Sequence, residues 1–240
     1  MIDEYNDVTA HHYLKYRPPL HIPILEKCLE KAKKYDLGLD VGSGTGHSSI
    51  ALSHFCNTVI GIEPSSAMRQ KAIRCPKVTY MDYVNDGIES KDSVFDVITL
   101  AGSLHYAKSQ TLLNELIRVG KKEATIIVYD FDLQVQEILT NLNFVSGAEN
   151  DYDHEADFSG LMTEGIRLVG KRREETRIVI NPSDLAHILL SLKEVFDFLK
   201  QEHDSPMLYK EFVKRLKNSA GNSDFNIHAL LYHTSYKVLK

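Results

Sequence analysis

Short apolar runs alternate with segments of helical period along the first half of the chain. The runs that predict strands span residues 37–42, 58–63, 77–82, 95–102 and 124–131. Apolar side chains recur at the i, i+3, i+4 spacing of an amphipathic helix in residues 20–34, 46–55, 65–74 and 109–119. Because βα units alternate in this way, we expect an α/β fold with a parallel sheet and right-handed crossovers.

The alternation of predicted strands and helices ends after residue 131. Residues 132–175 form a long polar stretch with scattered glycines, which we interpret as an insertion within one domain. Strand character resumes at residues 176–181, and Ser183 is a candidate cap for one long helix that reaches Leu199.

The end of the chain adds two further elements. Pro206 and Gly221 bracket a predicted helix, and residues 225–239 predict a closing strand. We therefore predict a single domain over residues 1–240, the size at which one hydrophobic core is the default.

Composition and charge narrow the class of partner. The net charge of −5 and the pI near 6.1 give no overall attraction to nucleic acid or to an anionic membrane. No apolar run approaches the length of a membrane span, and the acidic, polar start of the sequence is unlike a secretory signal. We expect a cytoplasmic protein with a small-molecule partner, present as a monomer or a homodimer.

The stretch LDVGSGTGHSS carries three glycines, each two residues from the next, between a predicted strand and a predicted helix. Gly42, Gly44 and Gly46 allow a tight turn and a close approach of the backbone to a ligand, where N–H groups attract an anion. His47 stands where the dinucleotide fingerprint has its third glycine, and the G-K-[ST] ending of a P-loop is absent. The pattern indicates a ligand-binding turn and disfavours NAD and ATP.

An acidic residue followed by G-x-G-x-G resembles the first motif of the class I S-adenosylmethionine-dependent methyltransferases. Asp40 and the three glycines match that motif position by position. The resemblance implies that the loop, with Ser43, wraps the methionine part of S-adenosyl-L-methionine. Asp40 either contacts the ligand or supports the loop through backbone N–H groups.

Acidic residues at the next two strand ends extend the resemblance. It implies that Glu63 binds both ribose hydroxyls, for which a carboxylate has acceptor sites, and that Pro64 and Met68 line the same cofactor. It also implies that Asp82 takes the adenine amine, beside the Tyr83 backbone. A helix cap at Glu63 and a turn residue at Asp82 are the structural alternatives.

The loop after the fourth strand completes the cofactor assignment. The resemblance places Ala101, Gly102 and Ser103 beneath the methionine group. Residues 11–131 are similar to the small-molecule branch of the family, although GKKEA replaces its usual Pro-Gly-Gly turn before strand five. The fold that the resemblance implies is α/β and Rossmann-like: a doubly wound, mostly parallel sheet of seven strands in the order 3-2-1-4-5-7-6.

The activity implied is methyl transfer to an O, N or C nucleophile of a small molecule. If the acceptor must lose a proton, His105 is the first candidate base, and Tyr106 and His12 are the next. Packing at the pocket floor is the alternative role for His105 and Tyr106. Two other functions stay open: a non-catalytic S-adenosylmethionine-binding regulator or partner subunit, and an NAD-dependent oxidoreductase.

The segments around the predicted core suggest how a substrate would be held. We expect residues 1–20 to act as an N-terminal lid and residues 132–175 to cover the substrate. Tyr13, Tyr16 and Arg17 are the candidate substrate contacts. A calcium loop at 151–162 is disfavoured, because Ala156 and Met162 occupy the positions of the required glycine and glutamate, and we predict no metal site.

Overall fold

The computed structural model describes residues 7–83, 87–144, 151–202, 207–221 and 223–240. Seven strands lie in one sheet in the order β3-β2-β1-β4-β5-β7-β6. The pairs β1–β2, β1–β4, β2–β3 and β4–β5 are parallel. The predicted Rossmann-like fold and strand order are therefore confirmed. The strands are β1 Tyr35–Val41, β2 Cys56–Ile62, β3 Val78–Met81, β4 Phe95–Ala101, β5 Gly120–Leu133, β6 Ile166–Ile180 and β7 Phe225–Val238.

Helices connect the strands and follow the predicted positions in the first half of the chain. Two begin at a serine whose side chain accepts from a backbone N–H: Ser65 from Met68, and Ser109 from Leu112. The helices are α1 Asp7–Lys15, α2 His21–Cys28, α3 His47–Leu52, α4 Ser66–Gln70, α5 Leu104–Ala107, α6 Gln110–Val119, α7 Gln136–Asn141, α8 Pro182–Leu190, α9 Lys193–Glu202 and α10 Leu208–Ser219.

The prediction of a single long helix from Ser183 is wrong. The helix is interrupted at Ser191 and Leu192, which separate α8 from α9. The Ser191 hydroxyl donates to the carbonyl of Ile188 at 2.6 Å and competes with a continuing helix. Leu192, between the two helices, is 43% exposed. The N-cap is Asn181, with Pro182 as the first helical residue, because proline is already constrained to a helical φ.

Other element boundaries also differ from the predictions, and the helix predicted over residues 65–74 ends at Gln70. The helix predicted over 20–34 ends at Cys28, because residues 30–34 are exposed and continuing the helix there would bury nothing. The strand predicted at residues 176–181 begins earlier, at Ile166, and forms the long strand β6. The predicted helix start at Pro206 lies outside the described residues.

The chain is organised as two compact units. One comprises Pro19–Phe131, Tyr152–Glu174 and Leu231–Lys240, and its core joins sheet residues such as Leu39 and Ile98 to Leu113 and Leu116 of α6. The other comprises Met1–Pro18, Asp132–Asp151 and Glu175–Leu230, with a core built mainly from α8, α9 and α10. The predicted insertion, 132–175, contributes to both units, and the single-domain organisation stays a prediction.

Within the described ranges, no helix has both the length and the apolar character needed to cross a bilayer.

Candidate functional site

The strand order reverses between β1 and β4, and the loops that follow these two strands meet there. In open α/β sheets this switch point is where ligands bind, outside the carboxyl ends of the strands. The Ser103 hydroxyl donates to the carbonyl of Val41 at 2.6 Å, which ties the loop after β4 to the end of β1. A Cβ placed on Gly42 would lie 2.4 Å from the Cβ of Ser103, so these loops approach more closely than any side chain permits.

The glycine loop has the backbone that its sequence predicts. Gly42, Gly44 and Gly46 all have positive φ, of 74°, 54° and 93°. A Cβ on Gly46 would lie 2.0 Å from the hydroxyl of Tyr80, whereas one on Gly44 would meet nothing within 4 Å. The loop is therefore packed at both ends and open at its middle residue.

Two hydroxyl oxygens of this loop have unused hydrogen-bonding capacity. Ser43 Oγ and Thr45 Oγ1 are buried, and neither has a partner within the described part of the chain. Buried polar atoms are normally satisfied, so these two oxygens can form hydrogen bonds with a group outside the described residues.

Among the described residues, side-chain hydroxyls and no backbone N–H groups donate to the Asp40 carboxylate. This carboxylate is fully buried. One oxygen accepts from the hydroxyls of Ser48 and Ser49, each at 2.6 Å, and the other accepts from Thr99 at 2.8 Å. Burial raises the pKa of Asp40, while the three hydroxyls lower it. The carboxylate thus joins β1 to α3 and β4.

Glu63 lies at the end of β2 and reaches across to the glycine loop. Its two carboxylate oxygens accept from Gly44 N–H and Ser65 N–H, each at 2.8 Å. Burial raises the pKa of Glu63, and these two N–H groups lower it. Each oxygen has a second lone pair, so the carboxylate has room for two more donors.

The end of β3 is tied to the same region by Arg69, which sequence reasoning did not single out. Its guanidinium pairs with Asp82 at 2.6 Å and donates to the carbonyl of Glu63. Asp82 also accepts from Tyr83 N–H at 2.8 Å. Met68, one residue before Arg69 in α4, is buried, whereas Pro64 is exposed.

His105 and Tyr106 belong to an aromatic group that follows β4. The ring centroid of Tyr152 lies 4.7 Å from that of His105 and 5.5 Å from that of Tyr106. The Tyr152 hydroxyl donates to the carbonyl of Gly102 at 2.6 Å. Asp153 N–H donates to Nδ1 of His105 at 3.1 Å. The structure therefore brings the predicted catalytic pair together with the loop predicted to hold the cofactor.

The same surroundings contain an aspartate–histidine pair. Asp130, near the end of β5, accepts from Nδ1 of His154 at 2.8 Å and from Phe131 N–H at 2.8 Å. Gly102, His105, Asp130, Tyr152 and His154 line one small pocket. Asp130, like Glu63, is an acidic residue near the end of a predicted strand, and it could have been identified in the same way. No local sequence pattern indicates Tyr152 or His154.

His12 lies in the other unit and has different neighbours. Its Nδ1 is 2.9 Å from Nδ1 of His187, and both rings stack on Tyr209. Of the three candidate substrate contacts, Arg17 lies over the ring of Tyr13 with its guanidinium carbon 4.3 Å from the centroid, and Tyr16 packs on the core of this unit.

The His12 site predicts acid sensitivity. Burial, His187 and His11 lower the pKa of His12 to about 4. A base with a depressed pKa stabilises the fold above its unfolded pKa of about 6.5, and that contribution is lost as pH falls toward 4. From pH 7.5 to pH 5 we expect His12 to account for a loss of about 2 kcal/mol in unfolding free energy. Urea denaturation at both pH values measures the loss. The loss of unfolding free energy should be smaller in His12→Gln and unchanged in the control variant His54→Gln, at an exposed histidine. An equal loss in both variants would contradict the assignment of the pH dependence to His12.

Comparison with known proteins identifies the region that carries the glycine loop. Residues 39–128 match a family model described as a methyltransferase domain. These 90 residues of the 240 resemble a methyltransferase domain. A candidate methyltransferase of Dictyostelium discoideum is 27% identical over 118 residues, 49% of this chain and 44% of that protein. The match thus spans less than half of the curated relative.

Solved structures of methyltransferases share the fold of this chain. A candidate type II methyltransferase from Anaeromyxobacter dehalogenans is 16% identical, with a TM-score of 0.64 over 93% of this chain and 98% of its own. The phosphoethanolamine N-methyltransferase 2 of Haemonchus contortus is 17% identical, with a TM-score of 0.54 over 99% of this chain and 58% of its own. It was solved with phosphomonomethylethanolamine and S-adenosylhomocysteine.

Proposed function

We propose that the chain binds S-adenosyl-L-methionine at the carboxyl ends of β1, β2 and β4 and transfers its methyl group to a small-molecule nucleophile. The observation that carries the proposal is the hydrogen bond that Gly44 N–H, in the glycine loop, donates to the carboxylate of Glu63. The loop that follows β1 and the carboxylate at the end of β2 are thus held together. The family match at residues 39–128 supports the choice of ligand.

The residues present fit that cofactor. Glu63 has two lone pairs to offer to a pair of adjacent hydroxyls, the unsatisfied Ser43 and Thr45 hydroxyls lie in the loop, and Gly44 leaves the middle of the loop open. Asp82 and the Tyr83 backbone would hold the adenine end. Ala101, Gly102 and Ser103 would line the methionine end, with Pro64 and Met68 as further contacts.

When bound, the cofactor supplies a methyl group on a positively charged sulfur. The protein's own task is to orient the acceptor and exclude water, since holding reactants in line accounts for much of the barrier reduction in such transfers. His105 and Tyr106, beside Gly102, would contact the acceptor. We include in this proposal the lid role of residues 1–20, with Tyr13, Tyr16 and Arg17, the runner-up base His12, and the covering role of residues 132–175.

Calorimetry with S-adenosylmethionine and S-adenosylhomocysteine tests the cofactor site. We expect micromolar binding by the wild type and at least a 10-fold loss in Glu63→Ala, which is at least ~1.4 kcal/mol. Glu63→Gln keeps one accepting oxygen and the side-chain volume, so its loss should be smaller. Glu89→Ala, at an exposed acid, is the matched control and should bind like the wild type.

A thermal melt of each variant separates lost binding from lost folding. Absence of binding by wild-type protein that carries no co-purified ligand would contradict the proposal. Binding without methylation of a panel of phenols, carboxylic acids and amines would instead favour the non-catalytic regulator or partner subunit.

A further inference from the structure

The two histidines beside the loop after β4 carry their protons on opposite nitrogens. A backbone N–H can only donate, so the bond from Asp153 N–H makes Nδ1 of His105 an acceptor. Neutral His105 therefore has its proton on Nε2. A carboxylate can only accept, so the bond to Asp130 makes Nδ1 of His154 the donor. Neutral His154 therefore has its lone pair on Nε2.

This difference favours His154 as the imidazole that removes a proton. A general base takes up the proton on the nitrogen that carries its lone pair, and in His105 that nitrogen is Nδ1, where the Asp153 N–H opposes protonation. In His154 the carboxylate of Asp130 fixes the tautomer and would stabilise the imidazolium that forms, the arrangement in which an aspartate serves a catalytic histidine.

The surroundings hold the His154 ring in one orientation. The ring of Tyr152 meets it edge-on at 4.6 Å, and Tyr232 stacks on it at 5.8 Å with an interplanar angle of 15°. Asp130 is itself anchored by Phe131 N–H. A base must stay in place to be effective, and three neighbours from different parts of the unit keep this one in place.

The pair also lies next to the predicted methyl-donor loop. A Cβ on Gly102 would lie 3.2 Å from Oδ1 of Asp130 and 3.3 Å from the hydroxyl of Tyr152. His154 and Gly102 line the same pocket. The aspartate–histidine pair is therefore beside the position where an acceptor would meet the methyl group.

We propose that His154 is the general base of the methyl transfer, that Asp130 is its positioning residue, and that the acceptor is a hydroxyl or protonated nitrogen compound. The inference rests on the proposed function. As the acceptor atom forms its bond to the methyl carbon, its proton passes to Nε2 of His154 and the electron pair of its O–H or N–H bond stays on that atom. The electron pair of the broken methyl–sulfur bond stays on sulfur, and the imidazolium then releases its proton to solvent.

Nitrogen-15 NMR of histidine-labelled protein tests the pair without donor or acceptor. Long-range proton–nitrogen correlations distinguish the two tautomers, and His154→Gln and His105→Gln assign the signals. We expect the Nδ1–H form for His154 and the Nε2–H form for His105. In Asp130→Asn the His154 signal should move toward the Nε2–H form. A wild-type His154 in the Nε2–H form would overturn the proposal even if methyl transfer is observed.

Turnover provides the second test, with phenol, benzoate, ethanolamine and phosphoethanolamine as probe acceptors. For the best probe that has a proton to lose, we expect His154→Ala to lower kcat at least 100-fold with unchanged S-adenosylhomocysteine binding. Added imidazole should restore part of that rate, and His54→Ala, an exposed control, should match the wild type. Wild-type turnover by His154→Ala would overturn the base assignment, whereas lack of cofactor binding by the wild type would reject the proposed function and leave the NMR result standing.

Discussion

Gly42→Ala is expected to lower the free energy of unfolding by about 2–5 kcal/mol. Two costs add. The φ of Gly42 is 74°, a left-handed conformation that costs a residue with a Cβ about 1–2 kcal/mol. The new methyl group would also lie 2.4 Å from Cβ of Ser103, and overpacking typically costs about 1–3 kcal/mol. Because the Ser103 Cβ is attached to the backbone, no rotamer change relieves the clash.

Gly44→Ala is the matched control for this prediction. It has the same kind of backbone, with φ of 54°, but a Cβ there meets nothing within 4 Å, so only the conformational cost of about 1–2 kcal/mol applies. Urea denaturation of both variants gives the difference between the two sites. Equal destabilisation would show that contact with Ser103 is relieved by movement of the loop after β4.

Features encoded by neighbouring residues could be predicted from the sequence. The strand that ends at Val41 and the turn that follows it depend on a local apolar run and on glycines, whose freedom at positive φ needs no distant partner. Acids at successive strand ends, such as Glu63, could be found in the same way. The strand order itself came from the resemblance, because periodicity alone does not choose among parallel sheets.

Features that depend on distant partners could not be predicted. Asp40 was expected to contact backbone or ligand, and its hydroxyl partners include Thr99, on another strand. His154 lies in a segment without helical or strand periodicity, and its role depends on Asp130, which is far away in the sequence. The break between α8 and α9 escaped detection because the apolar spacing continues through Leu192 even though the backbone does not.

Asp40→Ala is expected to destabilise the fold by about 2–4 kcal/mol. The substitution removes the acceptor of two buried serine hydroxyls, Ser48 and Ser49, and leaves a small cavity. A buried donor without a partner costs about 1–3 kcal/mol. Thr99 is less affected, because its hydroxyl also lies 3.3 Å from the carbonyl of Leu39. Urea denaturation at pH 7 measures the loss.

Asp40→Asn removes the negative charge but keeps one acceptor oxygen, so it separates the effect of the charge from the effect of the acceptors. Burial raises the pKa of Asp40, and a carboxyl with a raised folded pKa stabilises the fold below its unfolded pKa and loses that contribution as pH rises through the folded value. At neutral pH a neutral amide therefore avoids the desolvation of a buried charge, and it keeps one accepting oxygen around which hydroxyls can rotate. We expect a loss of less than about 1 kcal/mol in Asp40→Asn. A loss as large as that of Asp40→Ala would show that the negative charge, and not the supply of acceptors, organises these hydroxyls beneath the glycine loop.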